Sequence, residues 1–124
     1  MRIALLIIIA VLLAPICASA DSLDVIQFKL KEGCTLETYV AIKNDFNAQW
    51  GKSHGYIAEI ASPVDSNDLG SLYWVGRTAN AETFGKAWDI WRNEVSDPKS
   101  VAGRLEERFQ KCSTSESRRS YDIY

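Results

Sequence analysis

Residues 72–84 read Leu72-Tyr73-Trp74-Val75-Gly76-Arg77-Thr78-Ala79-Asn80-Ala81-Glu82-Thr83-Phe84, a strand-forming run that turns directly into a helix. Tyr73, Trp74 and Val75 are aromatic or β-branched and suit a pleated, half-buried surface, so a strand is expected over 69–77. Asn80 then offers a side-chain oxygen to the unpaired N–H groups of a helix start. Behind it Phe84, Ala87, Trp88, Trp91 and Val95 recur at helical spacing, the cleanest apolar stripe in the chain.

On the N-terminal side, Asp24-Val25-Ile26-Gln27-Phe28-Lys29-Leu30 alternates. Ile26, Phe28 and Leu30 share one face, which reads as a strand with one buried side. A helix is expected from Thr35 to Trp50, with Thr35 as cap and Gly51 just past its end. Gly55–Ala61 reads as a second strand, and Ser62–Asp68 as a loop. On the C-terminal side Ser96-Asp97-Pro98 interrupts the helical pattern. Pro98 suits the first turn of a new helix, with Asp97 as its cap. Val101, Ala102, Leu105 and Phe109 carry helical spacing to about Lys111. Ser113–Ser117 reads as a polar loop, and Arg118–Tyr124 as a last strand anchored by Tyr121 and Ile123. The order is β-α-β-β-α-β, an α+β chain of ferredoxin-like arrangement.

Residues 1–20 have the three-part layout of a signal peptide: Arg2, an apolar run from Ile3 to Ile16, then Ala18-Ser19-Ala20. The apolar run is roughly 14 residues, short of the ~20 that span a bilayer. Cleavage after Ala20 leaves 21–124 as a single domain, exported to the periplasm or secreted, with no membrane segment. A lipoprotein reading of Cys17 fails on Ile16, which is not the small residue such a site needs. The 124 residues carry a net charge of -2 and 24% charged side chains, which excludes the basic excess of a nucleic-acid binder.

The leader takes Cys17 with it and leaves Cys34 and Cys112 as an expected disulfide. In a ferredoxin-like sheet the first and last strands are antiparallel neighbours. Cys34 follows the first and Cys112 precedes the last, so the topology brings them together. Without a Cys-x-x-Cys pattern, a structural bridge is favoured over a redox pair. The chain-entropy account puts a loop of this length at roughly 4 to 5 kcal/mol.

On Leu72–Arg77, Thr78–Phe84 and Ala87-Trp88, with the element order over 21–124, the chain resembles the dimeric α+β barrel superfamily. That group includes antibiotic-biosynthesis monooxygenase-like and NIPSNAP-like proteins. The resemblance implies a homodimer whose four-stranded sheets pack face to face, with a pocket in each subunit between sheet and helices. Members include cofactor-independent oxygenases, haem-degrading enzymes and proteins without assigned activity. The haem degraders use a His late in the second helix. Asp89–Val95 has none, so no haem and no other cofactor is expected.

His54, the only histidine, could act as a general base or a metal ligand, or could simply lie on the surface or anchor a loop. With Tyr39, Tyr73 and Arg77 it makes up the candidate catalytic set. Trp50, Trp74, Arg77, Trp88 and Trp91 are the candidate ligand-binding residues, with Arg92 a further polar contact. The alternative for the aromatics is a plain core. Arg118-Arg119 could grip an anion or simply be solvated. One His and two oxidised Cys cannot form a zinc cluster, so no metal is expected. The preferred reading is a binding module for a small apolar or aromatic molecule. The alternatives are a cofactor-independent monooxygenase-like enzyme and a structural or interaction protein.

Overall fold

The computed structural model describes residues 20–124, so the expected leader lies outside the described residues except for Ala20. The chain runs β1 (Asp21–Leu30), α1 (Leu36–Phe46), β2 (Ile57–Ala61), β3 (Leu72–Thr78), α2 (Ala81–Glu94), α3 (Val101–Cys112) and β4 (Ser113–Ile123). The strands form one sheet in the order β2-β3-β1-β4, with every neighbouring pair antiparallel. This is the ferredoxin-like α+β fold expected from the element order.

The period of two along each strand divides the sheet into two faces. Asp24, Ile26 and Phe28 on β1, Ala58 on β2, and Leu72 and Trp74 on β3 face the helices. Tyr39, Ile42, Phe46, Ala102 and Leu105 close the core from the helical side. Leu23 and Val25 on β1, and Tyr73, Val75 and Arg77 on β3, take the opposite face, because each is one residue out of phase. In register, Ile26 lies between Trp74 on β3 and Arg118 on β4.

The bounds of the first three strands shift by one to three residues, with β1 starting at Asp21, β2 at Ile57 and β3 spanning Leu72–Thr78; three further differences have local reasons. α1 ends at Phe46, and Asn47–Gly51 continue as a π turn before a short 3-10 turn, Lys52–His54. Asn47 accounts for the change. Its Oδ1 accepts from the Ala58 N–H at 2.8 Å and its Nδ2 donates to the Ala58 carbonyl at 2.9 Å, tying the helix end to β2. Gly51 lets the chain close on Tyr56: a Cβ there would lie 2.5 Å from the Tyr56 carbonyl oxygen.

The cap of α3 is Ser100, whose hydroxyl accepts from the Gly103 N–H, rather than Asp97. Asp97 instead closes the preceding turn, accepting from the Lys99 N–H on its side chain and from the Ser100 N–H on its carbonyl. Pro98 sits inside that turn, a position its fixed φ suits.

β4 begins at Ser113, so the expected polar loop is strand. It is an edge strand paired only with β1, and its side chains need no apolar alternation to hold the ladder. A register shift between Gln27 and Phe28 absorbs the extra residue on β4.

Cys34 and Cys112 are joined, with Cα atoms 5.2 Å apart. The bridge ties the turn after β1 to the end of α3, where the Lys31 N–H also donates to the Cys112 carbonyl. No helix among the described residues is long and apolar enough to cross a membrane.

Candidate functional site

A cavity of about 460 Å³ lies between the β1–β4 side of the sheet and the three helices. Its walls are aromatic. Phe46, at the end of α1, is the hub, with ring centroids 4.9 Å from Trp74 and 5.5 Å from both Trp50 and Trp91. Phe84 and Trp88 add the α2 side, and Tyr39 and Phe109 the α1–α3 side.

A chain of hydrogen bonds runs along the floor. The indole Nε1 of Trp74 donates to Tyr56 Oη at 2.7 Å, and Tyr56 Oη donates to Asp24 Oδ2 at 2.7 Å. Arg118 meets the same carboxylate with two bonds, Nε to Oδ1 at 2.7 Å and Nη2 to Oδ2 at 2.6 Å. Asp24 is only 1% exposed, so this fork offsets the desolvation of its charge. Arg118 lies over the Trp88 ring at 3.8 Å and within 5.8 Å of Phe84, which fixes the guanidinium plane. Burial, followed by the Asp24 charge, holds the Tyr56 phenol far above its usual pKa, so it stays a donor.

Gly76 makes this floor possible. A Cβ at Gly76 would lie 1.8 Å from Tyr56 Oη. The missing side chain is the passage through which Tyr56 crosses β3 to reach Asp24 on β1.

The cavity has a second polar end at the junction of α3 and β4, made by Glu106, Gln110, Ser113 and Tyr39. Gln110 Nε2 donates to Glu106 Oε1 at 3.0 Å. Tyr39 is stacked on Phe28 at 4.2 Å. Its phenol is pushed up to about 12, chiefly by burial, with Glu106 adding to the rise and Ser113 opposing it.

The sequence candidates divide sharply. Trp50, Trp74, Trp88, Trp91 and Tyr39 all line the cavity. Tyr73 and Arg77 do not, because both are one residue out of phase with Trp74. Arg77 instead pairs with Asp21 at 3.2 Å on the opposite face of the sheet. His54 stacks on the Trp50 ring at 4.0 Å with its Nδ1 2.7 Å from the Trp50 carbonyl, an anchoring arrangement outside the cavity lining. Arg92 pairs with Asp89 and lies 5.7 Å from the Trp88 ring centroid, also outside the lining. Of the Arg118-Arg119 pair, Arg118 enters the cavity and Arg119, opposite Val25, takes the other face.

Asp24, Tyr56 and Glu106 were not among the sequence candidates. Asp24 did carry a signal: it is a charged residue in phase with Ile26, Phe28 and Leu30, on the face that must be buried. Glu106 had none, since α3 has charged residues on several sides. No group of three or more His, Cys, Asp or Glu among the described residues is placed to hold a metal ion.

No protein-family model matches this sequence. No curated protein matches it at a significant level of similarity. Solved structures do share the fold. A conserved Bacteroides thetaiotaomicron protein of unknown function and possible oxidoreductase superposes with a TM-score of 0.54 at 10% identity, over 86% of this chain and all of that one. SnoaB, a cofactor-independent oxygenase from Streptomyces nogalater, superposes with a TM-score of 0.51 at 11% identity, over 83% of this chain and 92% of that one. At these identities the likeness is one of fold.

Proposed function

We propose that the protein binds a small, planar, largely apolar molecule in the cavity between sheet and helices. The observation that carries this reading is the cavity itself. Its volume of about 460 Å³ lies in the range of small-molecule sites, and its walls are aromatic rings with few polar groups among them. Calorimetric titration with 1-naphthalenemethanol, a neutral bicyclic probe, tests the reading. Saturable binding weakened at least tenfold by Trp91→Ala is expected. Absence of saturable binding to the folded protein would overturn it.

A cofactor-independent oxygenase is the second reading, and the fold shared with SnoaB favours it. It would need a base with a free lone pair facing the ligand. Asp24 is poorly suited, because Arg118 and Tyr56 already occupy both its oxygens, which leaves Glu106 as the carboxylate for that role. Oxygen uptake with a phenolic aromatic substrate, abolished by Glu106→Gln, would reverse the order of the two readings.

The chain is further proposed to pair with a second copy through the outer face of the sheet. Tyr121 and Ile123, both 44% exposed, join Leu23, Val25, Tyr73 and Val75 there into an apolar surface across three strands. The resemblance noted above implies the same pairing. Residues 1–20 are read as a leader removed on export, in keeping with the disulfide. Native mass spectrometry of the exported protein should give twice the mass of residues 21–124.

A further inference from the structure

We infer that the cavity selects a ligand bearing a positive charge, an organic ammonium seated against Glu106 at the α3–β4 end with its apolar body among the tryptophans. The inference rests on the ligand-binding reading and specifies the ligand's charge. It starts from the charges that line the cavity, which are two carboxylates, Asp24 and Glu106, and one guanidinium, Arg118.

Arg118 and Asp24 neutralise one another in a two-bond fork, and the Arg118 plane is capped by Trp88. That leaves Glu106. Its one side-chain partner is Gln110, and among the described residues it makes no ion pair. The basic residues nearby on α3 are engaged elsewhere, Lys111 with Glu107 and Arg108 with Asp45. Lys31 donates to the Gln110 carbonyl. The cavity therefore holds one uncompensated negative charge.

The surroundings of that charge suit an ammonium. Tyr39 and Phe109, with ring centroids 5.5 Å apart, line the same cavity, and aromatic rings attract cations. Arg118 stands on β4 opposite Ile26 and is already forked onto Asp24, so its guanidinium does not compensate Glu106. An anionic ligand would face Glu106 with no free cation to receive it.

The test uses three probes with one ring system: 1-naphthylmethylammonium, 1-naphthalenemethanol and 1-naphthoate. Their affinities are measured by calorimetry on the disulfide-bonded protein and on Glu106→Gln. Glu107→Gln serves as a control, because Glu107 is exposed and paired with Lys111. The ammonium is expected to bind about tenfold tighter than the alcohol, with the naphthoate weakest. Glu106→Gln should bring the ammonium within twofold of the alcohol, and Glu107→Gln should preserve the preference. Equal binding of ammonium and alcohol, or a preference that survives Glu106→Gln, overturns the charge assignment and leaves the ligand-binding reading standing. If none of the three binds, both fall.

Discussion

Two Asp–Arg pairs occupy opposite faces of the same sheet, and they teach different lessons. Asp24–Arg118 faces the helices, with its carboxylate at 1% exposure and held by three side-chain hydrogen bonds. Asp21–Arg77 faces outward, with both side chains about half exposed and a single contact at 3.2 Å. The chemical groups are the same and the settings differ. In the single chain, water screens the outer pair and can replace either partner at little cost. The inner pair has no such substitute, and each partner depends on the other and on Tyr56. The outer pair is a surface contact. The inner one shapes the cavity floor.

The largest test of this contrast is Arg118→Ala. It strands the Asp24 carboxylate in a buried setting and should cost about 3–5 kcal/mol by urea denaturation. A loss no greater than that of Arg77→Ala would erase the distinction. Gly76→Ala should come next, at about 1–3 kcal/mol, because the new methyl forces Tyr56 off the carboxylate. In a structure of that variant the Tyr56–Asp24 bond should be broken. Tyr56→Phe removes the donor and keeps the ring, so the expected cost is about 1–3 kcal/mol.

Alkaline pH should also act on the inner face. Burial holds the phenols of Tyr39 and Tyr56 protonated beyond the range where an unfolded tyrosine ionises, Tyr39 up to about 12. A raised pKa in the folded state means the unfolded chain loses its protons first. The tyrosine contribution is therefore intact below about pH 10 and is lost as pH rises toward about 12. Urea midpoints across that range should fall, and Tyr39→Phe should flatten part of the decline. The smallest effect belongs to the outer pair: Arg77→Ala should change stability by less than about 1 kcal/mol. In the ligand titration it should leave affinity unchanged, because Arg77 is on the far side of the sheet from the cavity.

Much of the fold was legible along the chain because strands and helices write their periods into it. The alternation of Ile26, Phe28 and Leu30 and the stripe from Phe84 to Trp91 each name a buried face without reference to any partner. β4 escaped that logic. An edge strand is held by backbone bonds to β1, and Ser113–Ser117 carries no apolar alternation to announce it. The end of α1 escaped it too, because Asn47 binds Ala58, a partner eleven residues away.

The site was legible in its apolar half. Bulky rings at helical or strand spacing tend inward: Trp50 and Trp74 are buried, and the half-buried Trp88 and Trp91 line the cavity. The polar half was not, and the reason is phase. Arg77 and Tyr73 stand beside Trp74 in sequence, yet in a strand immediate neighbours point to opposite sides. Arg118 and Asp24, 94 positions apart, sit on strands paired in the sheet.

By itself the sequence determined the element order, the α+β class, the pairing of Cys34 with Cys112 and the aromatic character of the interior. Each follows from local periodicity or from counting. Only the tertiary structure decided that a cavity remains among the rings, that Asp24, Tyr56 and Arg118 form its floor, and that Glu106 faces into it without a cation. Those facts depend on the register between strands and on how far the helices stand off the sheet. Both are set by the simultaneous packing of residues distant in the chain, and no local pattern encodes them.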